Sequence, residues 1–173
     1  MKELIEQLAS HHTLDASSME RLLVQAAHDT DTLNHLRHTA VRIAQEQFGR
    51  GIYIRGLIEL SSYCHRDCLY CGLRRSNHTA QRYRVTQEEV LACCDEGYRL
   101  GFRTFVLQAG EDATHTDEWL TALVSEIRRR YPEAAITLSL GERSEASYAK
   151  LKAAGADRYL LRHEAANEAL YTS

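Results

Sequence analysis

Leu4, Ile5 and Leu8 recur at helical spacing, as do Leu22, Leu23 and Ala26, and then Leu33, Leu36, Ala40 and Ile43. Apolar positions three and four apart turn one face of a helix toward a core, so residues 1 to about 48 are expected to be helical. Gly49 and Gly51 close this stretch, and the pattern then changes character. Short apolar runs over residues 52–60, 104–108, 136–140 and 158–161 read as strands, and helical patterns over 86–100, 117–130 and about 144–154 separate them. A further helix is expected to begin near Asn167. Thr86 and Glu89 have the spacing of a capping box, and Gly101 and Gly155 stand where helices should stop. In the middle helix Leu120, Leu123, Val124 and Ile127 share a core face. Four consecutive strand–helix units predict parallel strands joined by right-handed crossovers.

Side chains alternate across a strand, which divides each strand into two faces. Ile58 and Leu60 oppose Arg55, Glu59 and Ser61; Phe105 and Leu107 oppose Val106 and Gln108. Leu138 and Leu140 oppose Thr137 and Ser139, while Tyr159 and Leu161 oppose Arg158, Arg162 and Glu164. Helices must cover the apolar side, so Arg55, Glu59, Gln108, Ser139, Arg162 and Glu164 are expected to face the inside of a curved sheet. Inward charges are costly unless they meet each other, a metal or a polar ligand. A self-satisfied pair such as Glu59 with Arg55 is the plain alternative. The crowding of these groups near the carboxyl ends of strands favours a ligand site.

Bulk properties narrow the class. With 173 residues the chain can bury a real core, and 44% hydrophobic with 26% charged residues is ordinary for a globular protein. A net charge of -3 and a pI near 6.3 argue against nucleic acid as the main partner. No apolar run is long enough to span a bilayer, and MKELIEQLASHH is not a signal peptide. Five cysteines, three of them clustered, fit a reducing compartment, and a cytoplasmic location is expected.

Those three are Cys64, Cys68 and Cys71 in CHRDCLYC, directly after the first strand. Closed zinc sites and fully ligated iron–sulfur clusters generally use four protein ligands. Three cysteines on a cubane leave one iron open to a small molecule. A zinc site completed by His65 or His78, or a thioredoxin-like use of Cys68 and Cys71, are the competing readings of the residues alone. Cys94 shares a helix face with Val90 and Tyr98, which points to packing rather than ligation. Arg74, Arg75, Arg82 and Arg84 read either as a solvated loop face or as charges set beside a cluster or cofactor.

The triad with Tyr70 before its last cysteine resembles the radical S-adenosylmethionine (SAM) superfamily. CLYCGLRRSN, then RYR at residues 82–84, VLQAGED at 106–112, TLSLGE at 137–142 and ADRYLLRHE at 156–164, resembles one family within it. That family is the FeFe-hydrogenase maturase HydE, related to biotin synthase and methylornithine synthase. The resemblance implies an α/β fold: N-terminal helices over residues 1–50, then over residues 51–173 the N-terminal half of a TIM-type (β/α) barrel with four β/α units. It implies a 4Fe–4S cluster on Cys64, Cys68 and Cys71, and S-adenosylmethionine on the fourth iron, cleaved to a 5′-deoxyadenosyl radical. Tyr70 would lie near the adenine, Gly110 and Glu111 at the methionine amino end, and Ser139, Arg162 and Glu164 along the rest of the cofactor. Arg158 could attract an anionic group deeper in the barrel. The implied substrate is a small molecule or small iron complex, with an external electron donor and other hydrogenase maturation proteins as partners.

Ala109 departs from the family, which often has a small polar residue or glycine there, so a backbone contact would survive at this position and a side-chain contact would not. The family's barrel continues past the fourth strand, so a barrel truncated after about that strand, inactive alone, is a further expectation.

Overall fold

Three helices form the N-terminal stretch: α1 (Lys2–His11), α2 (Ala16–His28) and α3 (Thr30–Phe48). The expected helical region is divided where the backbone finds better partners outside it. His12, with φ 59°, ends α1 in the left-handed region, and Asp15 caps α2 by accepting from the Ser18 amide at 2.9 Å. Asp29 caps α3 through the Asp31 and Thr32 amides. Ile5, Leu22 and Ala26 are buried as expected, but Leu23 is exposed. In α3 the buried positions are Thr32 and Thr39 rather than Ala40, with Leu33, Leu36 and Ile43 half-buried.

The structure, a computed structural model, describes residues 1–162 with Asn167 and Ala169. It resolves into two compact units, Met1–Tyr53 and Ile54–Ser173. The second unit carries β1 (Gly56–Ser61), α4 (Gln87–Arg99), β2 (Thr104–Ala109), α5 (Asp117–Arg130), β3 (Ala135–Ser139), α6 (Glu145–Ala153) and β4 (Arg158–Tyr159). Its four strands lie in the order β1-β2-β3-β4, all parallel. This is the alternation that the hydrophobic pattern predicted.

Helix ends follow their caps. Thr86 and Glu89 form the reciprocal capping box of α4, and Gly101 (φ +96°) follows its end. Thr116 and Ser144 cap α5 and α6 with their side chains. The first strand is shorter than expected: residues 52–55 lie outside β1, and Ile52 is 90% exposed. Their β-favouring side chains find no partner strand among the described residues, and without a ladder such a segment does not pair. The last strand is likewise two residues long, against four expected.

Ile58, Leu60, Phe105, Leu107, Ile136 and Leu138 face the helices and form one core with Val90, Cys94, Leu120, Leu123, Val124, Ile127 and Leu151. Cys94 is a packing residue; burial pushes its thiol up to about 12. On the other face the register sets Glu59, Gln108 and Ser139 in one row, and Leu57, Val106, Thr137 and Arg158 in the next. The polar row is the one that the sequence placed inward.

Candidate cluster and cofactor site

The site is assembled at the carboxyl ends of the strands, where a parallel (β/α) sheet presents its loops. The register of β1 against β2 shifts between Glu59 and Ser61, a bulge that bends the chain as it leaves the sheet. Residues 62–83 then make a long loop that returns beside its own start. Ser61 bridges Arg84 in antiparallel fashion, the Ser62 amide donates to Tyr83 O at 3.1 Å, and the Val85 amide to Leu60 O at 2.8 Å.

Within this loop Cys64 and Cys71 are half-buried and Cys68 is exposed, all as free thiols. The loop is tied by its own main chain. The Cys71 amide donates to Cys68 O at 3.0 Å, and the Arg75 amide to Arg66 O at 2.9 Å. The Ser76 amide donates to the Asp67 carboxylate at 2.9 Å.

Gly110 closes the approach of the loop to β2. A Cβ on it would stand 2.6 Å from both Cys64 Cβ and Tyr63 O, so this position requires a residue without a side chain. Next to it Glu111 reaches over the end of β3. Gly141, at φ +76°, leaves the space that the Glu111 carboxylate fills. Arg66 Nε donates to Glu111 Oε2 at 2.9 Å and Arg66 Nη2 to Glu142 at 3.1 Å. His65 Nδ1 donates to Glu111 O at 2.9 Å, while its Nε2 lies 3.4 Å from the Glu111 carboxylate.

The remaining expected contacts divide. Ser139 is buried on β3, in the row with Gln108 and Glu59. Gln108 Nε2 donates to Glu59 at 3.2 Å and Tyr83 Oη to the same carboxylate at 3.3 Å, in place of the Arg55–Glu59 pair considered from sequence. Burial, then the Glu59 charge, push the Tyr83 phenol up. Tyr70 is exposed on the cysteine loop, and Arg162 is exposed beyond β4. Glu164 falls outside the described residues, as does most of the stretch expected to be a helix near Asn167. Thr137 Oγ1, buried on the inner face, has no hydrogen-bond partner among the described residues. A polar ligand is the natural complement to such a group.

Sequence reading passed over a second polar node. Arg84 grips Asp112 with Nε at 2.7 Å and Nη2 at 3.0 Å, and Ser61 Oγ donates to Asp112 at 2.6 Å. Burial pushes the Asp112 carboxyl up, but the bonds from Arg84, Ser61 and Thr114 outweigh it and hold the group well below the usual carboxylate range. The Arg84 guanidinium also lies 3.8 Å over the Tyr63 ring. The signal was the alternation Arg82, Tyr83, Arg84, Val85, a strand-like edge, and it could not reveal partners 28 residues away.

The donors fit an iron–sulfur cluster better than a closed zinc site. Three free thiols stand on one tied loop, a soft donor set. Of the two histidines considered as a fourth ligand, His65 and His78, the imidazole of His65 is committed to Glu111. A single ion needs all its ligands within about 2.3 Å. Among the described residues no three His, Cys, Asp or Glu side chains form a group able to hold one. A cluster takes each thiolate on a different iron and makes no such demand.

A family model described as the Radical SAM superfamily matches residues 58–172. The chain belongs to the radical SAM superfamily. Enzymes of this superfamily use a 4Fe–4S cluster and S-adenosylmethionine. The chain is similar to the FeFe hydrogenase maturase subunit HydE of Thermotoga maritima, with 45% identity over 132 residues, 76% of this chain and 37% of that protein. It is 27% identical to 3-methylornithine synthase of Methanosarcina acetivorans over 143 residues, 82% of this chain and 40% of the relative. Among solved structures it superposes on methylornithine synthase PylB with a TM-score of 0.86 at 25% identity, covering 97% of this chain and 49% of that one. The hydrogenase maturase HydG superposes with a TM-score of 0.81 at 25% identity, covering 95% and 37%. The chain spans less than half the length of these relatives. Its four-stranded sheet corresponds to part of their TIM-type radical SAM barrel. Among the described residues no helix is long and apolar enough to cross a membrane.

Proposed function

We propose that this radical SAM chain serves FeFe-hydrogenase cofactor assembly in the manner of HydE, with residues 51–173 as its partial barrel and residues 1–50 as a helical preface. The observation that carries this reading is the cysteine loop seated on Gly110 beside Glu111, within the stretch 45% identical to HydE. Cys64, Cys68 and Cys71 would hold the cluster. When bound, the reduced cluster supplies the electron that cleaves S-adenosylmethionine to a 5′-deoxyadenosyl radical.

The chain's own residues bind and orient. Glu111 offers a carboxylate to the methionine ammonium. Its Oε2 is taken by Arg66, whereas its Oε1 receives the Glu142 amide at 3.4 Å, a long contact that leaves capacity for a charged donor. Gly110, whose missing side chain seats the cysteine loop, offers only its main chain to the cofactor's amino end. Ser139 presents a buried hydroxyl on the inner face, Arg162 suits a carboxylate, and Glu164 a hydroxyl or ammonium group. Tyr70 offers an aromatic face for adenine. The inner rows, with Arg158 and Thr137 below Gln108 and Ser139, suit a small anionic substrate such as an iron complex. An external reductant, other maturation proteins and a cytoplasmic setting complete the reading; neither nucleic acid nor a membrane has a part in it.

The superposition on methylornithine synthase at a TM-score of 0.86 favours a second reading, a carbon-skeleton or sulfur-insertion reaction of the methylornithine synthase or biotin synthase kind on the same scaffold. Incubation with S-adenosylmethionine, a strong reductant and deuterium-labelled candidate substrates separates the two. Deuterium in 5′-deoxyadenosine from an amino-acid substrate of the second kind contradicts the maturation role. Turnover with an iron–cysteine complex, and none with those substrates, agrees with it.

A further inference from the structure

Arg82 has no carboxylate partner among the described residues, yet it is half-buried and both of its Nη nitrogens are engaged. Its Nη1 donates to Ser62 O and to Leu73 O, the latter at 2.8 Å. Its Nη2 donates to Arg74 O at 2.8 Å and Asn77 O at 3.2 Å. Ser62 precedes Cys64 by two residues, and Leu73 follows Cys71 by two. One guanidinium therefore grips both ends of the segment that bears the three thiols. All four acceptors are neutral carbonyls, so its positive charge has no ionic partner among the described residues.

We propose that Arg82 is the positioning residue of the cysteine loop, clamping both ends of residues 64–71 through main-chain carbonyls while its charge offsets that of the thiolate-bound cluster. The inference rests on the reading of Cys64, Cys68 and Cys71 as cluster ligands, and goes beyond it in assigning the preorganisation of their loop to one side chain. A planar fork with several fixed donors can span four carbonyls, and an ammonium cannot. Lysine at this position keeps the charge and loses the clamp, whereas glutamine loses both. Arg84 does not share this role, because its guanidinium is committed to Asp112.

The test compares the wild-type chain with Arg82→Lys and Arg82→Gln, handled without oxygen. In iron-free protein, hydrogen exchange at the Cys71, Arg74, Arg75 and Asn77 amides should accelerate at least about tenfold in both variants, from the loss of several hydrogen bonds. The amides of β2 and β3 should keep their wild-type rates. After reconstitution with iron and sulfide, a chelator should strip both variants faster than wild type. The cluster potential should move to more negative values in Arg82→Gln and stay close to wild type in Arg82→Lys, because a nearby cation favours the added electron. Wild-type exchange and stripping rates in both variants, or their full restoration by lysine, overturn the clamp. An unchanged potential in Arg82→Gln overturns the charge role. If Arg82→Gln also loosens β2 and β3, Arg82→Lys decides. If wild-type protein takes up no cluster, the ligand reading and the charge role fail together, and the exchange rates alone decide the clamp.

Discussion

Asp112 shows how one carboxylate organises the mouth of the sheet. It joins Ser61 at the end of β1 to Arg84 on the returning loop, and its side chain is 2% exposed. Its pKa in the folded state lies below that of an unfolded aspartate, near 3.9. A lowered carboxyl contributes stability that is complete above the unfolded value and is lost as pH falls through the folded one. Asp112→Asn should therefore lower the unfolding free energy by about 1–3 kcal/mol near neutral pH, and the deficit should shrink below about pH 4. Urea unfolding of the iron-free chain across that range checks it, and a deficit that does not vary with pH contradicts it. At this scale the cysteine triad was legible because its spacing is local and its residue type rare. Asp112, Arg84 and Arg66 were not, since an ion pair formed across 28 or 45 residues leaves no periodic trace.

Elements were read best where their ends are chemically marked. The α5 bounds match the sequence reading, and a threonine N-cap with three arginines in the last turn explains why. The α4 capping box was equally plain. Strand β1 was overextended because residues 52–55 have strand-like side chains, and side chains alone do not reveal whether a neighbouring strand exists. Between elements, the seat of the cysteine loop on β2 depends on Gly110. Gly110→Ala forces its methyl against Tyr63 O and Cys64 Cβ, so the loop must shift. Overpacking of this kind costs about 1–3 kcal/mol. The thermal midpoint should fall, and iodoacetamide should alkylate Cys64 faster in the variant. An unchanged midpoint with an unchanged Cys64 rate would show that the loop does not rest on this glycine.

On the scale of the molecule, the parallel order β1-β2-β3-β4 follows from four strand–helix repeats, and the polar inner row of Glu59, Gln108 and Ser139 follows from strand alternation. Loop closure was not readable, since it depends on a bulge at Glu59–Ser61 and on close backbone approaches at Gly110 and Gly141. The central claim is that three thiolates on one loop hold an iron–sulfur cluster with one iron open to S-adenosylmethionine. Anaerobic reconstitution of the chain followed by iron and acid-labile sulfide analysis, with electron paramagnetic resonance of the reduced protein, tests it most directly. The account predicts about four irons and four sulfides per chain, lost when Cys64, Cys68 or Cys71 is replaced by alanine, and a resonance that changes when S-adenosylmethionine is added. Tightly held zinc without sulfide, or a cluster signal indifferent to S-adenosylmethionine, would contradict it.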